Sequence, residues 1–86
     1  MKIYIVEEIY EYDGQVDTEC EAFDTFEKAK KCKENWADNN FVDDIKRDIE
    51  NGNLDSHIEN SDTDFYAYDG INFEAQTITI YEKNLL

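Results

Sequence analysis

The sequence predicts a single α+β domain in which an antiparallel sheet of about four strands packs on two helices. Both ends of the chain alternate apolar and polar residues around Asp-Gly pairs, whereas the middle carries apolar residues at helical spacing. The length of 86 residues suits one domain, residues 1–86, with a small core. The predicted order of elements is ββααββ.

The first hairpin is predicted around Asp13-Gly14, because these residues accept the positive φ angles of a two-residue turn. We predict strands over residues 2–12 and 15–23, paired directly across this turn. In this register Ile5 and Ile9 share a face, and we assign that face to the core.

The other face of the hairpin pairs Tyr10 with Asp17 and Glu8 with Glu19. Like charges directly opposite each other destabilise a sheet. Because nothing in the fold calls for the Glu8–Glu19 pair, we interpret this face as a surface for a partner.

Two helices are predicted in the middle of the chain. Residues 24–27 (Asp-Thr-Phe-Glu) have the form of a capping box, and an apolar stripe follows them to residue 37. After the break at Asn39-Asn40, a second stripe over residues 41–49 ends near Gly52, a suitable C-terminal cap.

The last third of the chain is predicted to form a second hairpin. Residues 53–63 are polar and are predicted as a loop. Strands over residues 64–68 and 71–82 then flank a turn at Asp69-Gly70.

The composition is strongly acidic, with 22 Asp and Glu against 8 Lys and Arg and a formal net charge of −14. This balance excludes a basic surface for direct nucleic-acid binding and disfavours an anionic membrane. Hydrophobic residues make up 41% of the chain, enough for a folded core. The sequence shows neither a signal peptide nor a membrane span, so we expect a cytoplasmic protein, monomeric or in a small homo-oligomer.

No group of residues predicts an enzyme, a cofactor or a metal site. One His and two Cys cannot make a closed zinc site, and the segment 62–64 lacks the later ligands of a calcium loop. We expect Cys20 and Cys32 to be reduced core residues and His57 to be an exposed loop residue. A small hydrolase stays a third hypothesis, since carboxylates are abundant but the domain has little room for a cleft.

The negative charge is unevenly distributed along the chain. Residues 1–27 and 48–86 each carry a net charge of −8, whereas residues 28–47 carry +2. We therefore expect an acidic sheet side and a nearly neutral helix side. Such acidity either keeps the protein soluble or attracts a basic partner, and the commonest basic grooves bind nucleic acid.

Strand geometry favours the second interpretation. Carboxylates at alternate strand positions lie about 6.6–6.8 Å apart, close to the phosphate repeat of a nucleic-acid strand. Tyrosines on the same face would add contact area, although cross-strand packing also explains them. The predicted partner-binding residues are Glu8, Tyr10, Tyr12, Asp17, Glu19 and Glu21, with a second acidic patch at Asp62, Asp64 and Asp69.

The N-terminal third combines a Tyr-Asp-Gly turn with a helix entry of the form Phe-x-Thr-x-Glu-Lys-Ala. The residues concerned are Tyr12, Asp13, Gly14, Phe23, Thr25, Glu27, Lys28 and Ala29. In this it resembles a group of small uncharacterised bacterial and phage proteins, which implies the hairpin and the helix start but no activity. The size, acidity and aromatic content are also similar to those of phage-encoded anti-CRISPR proteins, several of which mimic DNA.

Two functions therefore stand as hypotheses. The first is a non-enzymatic acidic inhibitor that occupies the nucleic-acid groove of a defence nuclease or another nucleic-acid-binding protein. It would act in the host cytoplasm if the chain is phage-encoded. The alternative is a general protein-interaction module that uses an aromatic sheet face, with the acidity serving solubility.

Overall fold

A computed structural model describes residues 1–37, 39–53 and 55–85 of the chain. Its elements, in chain order, are β1 (Lys2–Tyr12), β2 (Gln15–Phe23), α1 (Phe26–Trp36), α2 (Asn39–Glu50), β3 (His57–Asn60), β4 (Asp64–Asp69) and β5 (Glu74–Asn84). The α+β class, the antiparallel sheet and the two helices agree with the prediction. The strands number five instead of about four, in the order ββααβββ.

The five strands form one sheet in the order β2-β1-β5-β4-β3. β1 pairs with β2 in the predicted register, including the opposed carboxylates Glu8 and Glu19. The turn between them has φ angles of 49° at Asp13 and 74° at Gly14. Asp tolerates this left-handed conformation and Gly adopts it without steric cost, so local turn chemistry accounts for the register.

The helices cover the face of the hairpin opposite to the predicted one. Val6 is fully buried, and Tyr4 packs edge-on against Phe26 of α1 with ring centroids 5.8 Å apart. Ile5 and Ile9, which we assigned to the core, lie on the other face and are half-buried. Both faces of β1 carry large apolar side chains, so alternation alone could not tell them apart; the packing of α1 decides.

Both helices lie close to their predicted positions. The Thr25 side chain caps α1 by accepting a hydrogen bond from the Lys28 backbone N–H at 3.3 Å. After α2, the Gly52 N–H donates to the Ile49 carbonyl at 3.0 Å with a φ angle of 90°, an ending that favours glycine. α1 contacts β1, β2 and β5, whereas α2 contacts β3 and β4.

Strand β3 lies within the segment 53–63 that the sequence predicted as a loop, so that prediction was wrong there. It pairs with β4 at the edge of the sheet, and the Ser61 N–H donates to the Asp64 carbonyl at 2.7 Å in the turn that joins them. Its one large apolar residue, Ile58, packs on the core. A single apolar residue makes no period, so only pairing with β4 marks this segment as a strand.

The connection between β4 and β5 is longer than the predicted two-residue turn. Asp69 ends β4 and pairs with Glu74, which begins β5, so residues 70–73 form the turn. Within this turn Phe73 has a positive φ angle of 57°, whereas the φ angle of Gly70 is not positive. Phe73, which we predicted within the last strand, therefore belongs to the turn.

The core lies between the helices and the covered face of the sheet. Its buried residues are Val6, Ala29, Cys32, Phe41, Ile45, Phe65, Ala67, Ile78 and Ile80. Lys33 is buried beside them, and its Nζ donates to Asn60 Oδ1 at 2.8 Å. Burial lowers the pKa of this ammonium group. The Cα radius of gyration is 14.2 Å, larger than the roughly 12 Å of a compact domain of this length, so the molecule is elongated.

Candidate functional site

The six residues predicted on the first hairpin share the face of the sheet on which the helices pack. We call them the acidic hairpin surface: Glu8, Tyr10, Tyr12, Asp17, Glu19 and Glu21. Its β2 members are exposed, and its β1 members are half-buried. The structure therefore brings these six residues to one side of one hairpin.

The hairpin extends beyond the cover of the helices. β2 is an edge strand and is exposed along residues 15–22, with only Phe23 partly buried. Near the turn, α2 reaches the hairpin through Phe41, whose ring lies 5.8 Å from that of Tyr10. The carboxylates of β2 consequently face solvent.

Hydrogen bonds fix the two tyrosines among the carboxylates. The Tyr12 hydroxyl donates to Asp17 Oδ2 at 2.9 Å, and the Tyr10 hydroxyl donates to Glu74 Oε2 at 3.3 Å. The hydrogen bond to Asp17 and the charge of that carboxylate raise the pKa of Tyr12. The two rings pack on each other with centroids 5.6 Å apart. Both phenols are thus held in place by hydrogen bonds to carboxylates.

Glu8 is held at the boundary of the core by a buried amide. Gln76 is 2% exposed, and its Nε2 donates to Glu8 Oε2 at 2.7 Å and to the Trp36 carbonyl at 2.8 Å. This amide ties the end of α1 to the acidic hairpin surface. A hydrogen bond from a buried side chain therefore fixes the half-buried carboxylate of Glu8.

Glu74 is a member of the site that the sequence analysis missed. It begins β5 and accepts the Tyr10 hydrogen bond across the sheet. The prediction paired residues only within each hairpin, and nothing in the sequence shows that β1 and β5 are neighbours. The pairing of Glu11 with Ala75 is what brings Glu74 to this end of the sheet.

Glu21 lies in a different environment from the other carboxylates of β2. It lines a groove of about 360 Å³ between β2 and α1, opposite Lys28 and Lys31 and beside Trp36. Glu21 therefore faces basic residues of α1, one of which, Lys28, forms an ion pair with Asp24. Asp17 and Glu19 lie nearer the hairpin turn, away from this groove.

The second predicted patch does not form one surface. Asp62 is exposed and lies 3.4 Å from the Lys30 ammonium, whereas Asp64 lies on the opposite face of the sheet from the acidic hairpin surface. Asp69 is only 3% exposed, so it is not a surface residue. Asp69 ends β4 on the same covered face as Phe65 and Ala67, and its carboxylate accepts hydrogen bonds from the backbone N–H groups of Ile71 and Asn72 in the following turn.

Negative charge is not confined to the sheet. Between residues 3 and 23 the chain has seven carboxylates and no Lys or Arg, whereas α1 has four lysines and two glutamates. α2 carries four carboxylates against Lys46 and Arg47. The expected division into an acidic sheet side and a nearly neutral helix side therefore describes α1 but not α2.

The face of the sheet turned away from both helices, which we call the open face, mixes large apolar side chains with threonines and charged residues. It carries Ile3, Ile5, Ile9, Val16, Tyr66, Tyr68 and Tyr81, with Glu7, Glu11, Glu59 and Asp64 among them. Val16 is 60% exposed and Tyr81 is 47% exposed. Antiparallel sheets often leave one face in water, and aromatic side chains on such a face are also common in contact surfaces.

The remaining reactive residues are dispersed. Cys32 is buried as predicted, whereas Cys20 is exposed on β2, and the two thiols are free. His57 is exposed, as predicted, but lies on β3, with its Nε2 3.0 Å from Glu59.

In the described part of the chain, no group of three or more His, Cys, Asp or Glu is arranged to hold a metal ion. None of the helices described is both long and apolar enough to cross a bilayer.

Comparisons of the chain with protein-family models, with curated proteins and with solved structures found no match.

Proposed function

We propose that this chain is a non-enzymatic acidic inhibitor. In this proposal the acidic hairpin surface occupies the basic nucleic-acid groove of a defence nuclease, as DNA-mimicking anti-CRISPR proteins do. The alternative target is the groove of another nucleic-acid-binding protein in the cytoplasm. The observation that carries it is the hairpin itself. Between residues 3 and 23 it has seven carboxylates and no Lys or Arg, and three of these carboxylates are exposed at alternate positions of an edge strand.

Strand spacing supports an imitation of nucleic acid. Asp17, Glu19 and Glu21 point to one side of β2, so neighbouring carboxylates lie about 6.6–6.8 Å apart. A row of this spacing matches Lys and Arg side chains arranged to meet successive phosphates. The net charge of −14 would also accelerate encounter with a basic groove.

The tyrosines support the proposal that the groove of the partner is rich in arginine. Tyr10 and Tyr12 are half-buried, and their hydroxyls are already bonded to carboxylates. A guanidinium group that stacks on a tyrosine ring gains a cation–π contact and can pair with the adjacent carboxylate. Because these groups are already in place, little side-chain ordering is left for the moment of binding.

The direct test is displacement of labelled target DNA from a panel of purified CRISPR effector nucleases. We expect the chain to release DNA from at least one nuclease at low salt. Its affinity should fall about tenfold or more between 50 and 200 mM salt, since screening weakens exposed charge pairs. The triple variant Asp17→Asn, Glu19→Gln, Glu21→Gln should lose about 100-fold or more in affinity.

A matched control carries the same loss of charge on another part of the molecule. Asp43→Asn, Asp48→Asn and Glu50→Gln remove three carboxylates from α2 and should change the affinity by less than about threefold. Equal losses for the two triple variants would show that only net charge matters. No displacement from any nuclease of the panel would contradict nuclease inhibition.

The open face favours a second candidate, a protein-interaction module that binds through aromatic and aliphatic side chains. The uncovered Tyr81 and the tyrosines of β4 supply the kind of contact area that protein interfaces use. The double variant Tyr66→Ser, Tyr81→Ser should then abolish capture of a host protein, and the β2 triple variant should not. The opposite pattern would favour the acidic hairpin surface.

A further inference from the structure

The turn between β4 and β5 exposes two large apolar side chains. Phe73 is 73% exposed and Ile71 is 56% exposed. Side chains so exposed contribute little to the core, and single exposed apolar residues are common on protein surfaces. Two of them within three residues of one turn form a protruding apolar feature.

Hydrogen bonds to a buried carboxylate organise the turn that carries them. The buried Asp69 carboxylate accepts hydrogen bonds from the backbone N–H groups of Ile71 (2.9 Å) and Asn72 (3.2 Å), and from Asn72 Nδ2 (3.0 Å). The Gly70 N–H donates to Ser56 Oγ at 3.1 Å. These bonds hold the backbone of residues 70–72, which leads into Phe73.

Phe73 adopts a backbone conformation that its side chain does not favour. Its φ angle is 57°, a left-handed value that is uncommon for a bulky residue. Asn or Gly would adopt this conformation at lower cost. Replacing Phe73 by either would sacrifice little buried apolar area, because the Phe73 side chain already faces solvent. Stability therefore does not explain a phenylalanine at this position.

The turn adjoins the acidic hairpin surface. Phe73 precedes Glu74, whose carboxylate accepts the Tyr10 hydroxyl hydrogen bond at 3.3 Å. The two hairpin turns lie at the same end of the sheet, because β5 runs antiparallel to β1 beside it. An apolar protrusion and an anionic surface therefore stand side by side.

We infer that Ile71 and Phe73 form an apolar anchor, which inserts into an apolar pocket of a basic partner protein while the acidic hairpin surface pairs with Lys and Arg at the rim of that pocket. The inference rests on the proposed function and adds the shape of the partner. A second copy of this chain is a poor occupant, because two chains of net charge −14 repel each other. Anionic membranes are disfavoured on the same ground.

Selection of peptides from a random 12-residue display library tests the anchor without a known partner. The bait is the full chain, and the best peptide is synthesised for affinity measurements against variants. We expect enrichment of Phe, Leu or Trp flanked by Lys or Arg. Binding should weaken at least tenfold in Phe73→Asn and in Ile71→Ser, but less than twofold in Ile49→Ser, the matched control at an exposed apolar residue of α2.

Thermal unfolding of Phe73→Asn gives the second measurement. We expect its unfolding midpoint to equal or exceed that of the wild type, because Asn adopts a left-handed backbone more readily. Loss of binding with retained stability would separate an anchor from a folding residue. A clear fall in the midpoint would show that Phe73 supports the fold, and would overturn the inference.

The remaining outcomes separate the anchor from the proposed function. Suppose the selection yields basic peptides without apolar residues, and these bind Phe73→Asn and the wild type with equal affinity. That result would overturn the anchor and leave charge mimicry intact. Enriched peptides without Lys or Arg, or no enrichment at all, would overturn the anchor, whereas the proposed function is decided separately by displacement of DNA from the nuclease panel. Binding lost in Tyr81→Asn but kept in Phe73→Asn would place the contact on the open face and overturn the anchor.

Discussion

The chain contains the tripeptide Tyr-Asp-Gly twice, and the two copies fold differently. At residues 12–14 it makes a two-residue turn with positive φ at both Asp13 and Gly14. At residues 68–70 the Asp is the last residue of a strand, the Gly has an ordinary φ, and the positive value falls on Phe73. Identical local sequence therefore did not determine the turn.

The difference lies in what surrounds each aspartate. Asp13 is exposed at the tip of a hairpin, whereas Asp69 is 3% exposed and pairs across the sheet with Glu74. The segment 55–56 packs against the second turn and bonds Gly70 through the Ser56 hydroxyl. A buried carboxylate needs hydrogen-bond donors, and Asp69 obtains them by drawing the following backbone N–H groups around itself.

Loss of the two aspartates should show the largest contrast. Asp69→Ala should lower the free energy of unfolding by about 3 kcal/mol, because it removes three hydrogen bonds to a buried carboxylate. Asp13→Ala should cost less than about 1 kcal/mol, since Asp13 is exposed. Urea unfolding of both variants measures the difference. Equal costs would mean that Asp69 does not organise its turn.

The two glycines should differ for different reasons. At Gly70 a Cβ atom would meet the Cβ of Asp55 and, at 2.7 and 2.9 Å, its backbone C and O atoms, so Gly70→Ala should cost about 2 kcal/mol or more. At Gly14 nothing lies within 4 Å, and Gly14→Ala should cost only the left-handed penalty of about 1 kcal/mol. Gly14→Asn should recover part of that loss, whereas Gly70→Asn should not. Recovery at both sites would contradict the steric account.

Acid titration should test the role of the Asp69 carboxylate in the second turn. Burial raises the pKa of Asp69, but its hydrogen bonds to Ile71 and Asn72 more than offset this, so the pKa lies below its usual value. The Asp69 carboxylate therefore stabilises the fold above about pH 4, and this contribution disappears as the pH falls through the folded-state pKa. The stability difference between wild type and Asp69→Asn should shrink below about pH 4. A difference that stays constant as the pH falls to about 2 would contradict this assignment.

The smallest expected effect concerns the tyrosine of the first turn. The hydrogen bond to Asp17 and the charge of Asp17 raise the pKa of Tyr12 above its ordinary value. Asp17→Asn should therefore bring the Tyr12 pKa back toward about 10, as followed by the ultraviolet absorbance of the phenolate. Glu19→Gln serves as the control at a neighbouring carboxylate. An unchanged Tyr12 titration in Asp17→Asn would mean that the two side chains do not interact in solution.

The features predicted correctly from the sequence are local, and those predicted wrongly depend on distant parts of the chain. The first hairpin was predicted with its bounds and register, because Asp13-Gly14 and the alternation of residues 2–12 act within a few residues of each other. The helices followed from the cap at Thr25 and from helical periodicity. Strand β3, the second turn and the covered face of β1 were wrong, because each depends on a neighbour distant in the chain.

The candidate site divides in the same way. The local register places Asp17 and Glu19 with Tyr10 on one face, and the sequence was enough to predict it. Glu74 joins them only because β1 lies beside β5, and Asp69 leaves the predicted set only because it is buried. Whether these residues bind a partner stays a prediction.

The sequence by itself determined the acidity of this protein, its α+β class and the first hairpin, since composition, periodicity and turn chemistry are local properties. Only the tertiary structure decided which sheet face the helices cover, how the second Tyr-Asp-Gly segment turns, and that Phe73 faces solvent. The physical reason is that burial is a property of the assembled chain. The same aspartate is a solvated turn residue when it is exposed, and it organises the backbone around itself when it is enclosed.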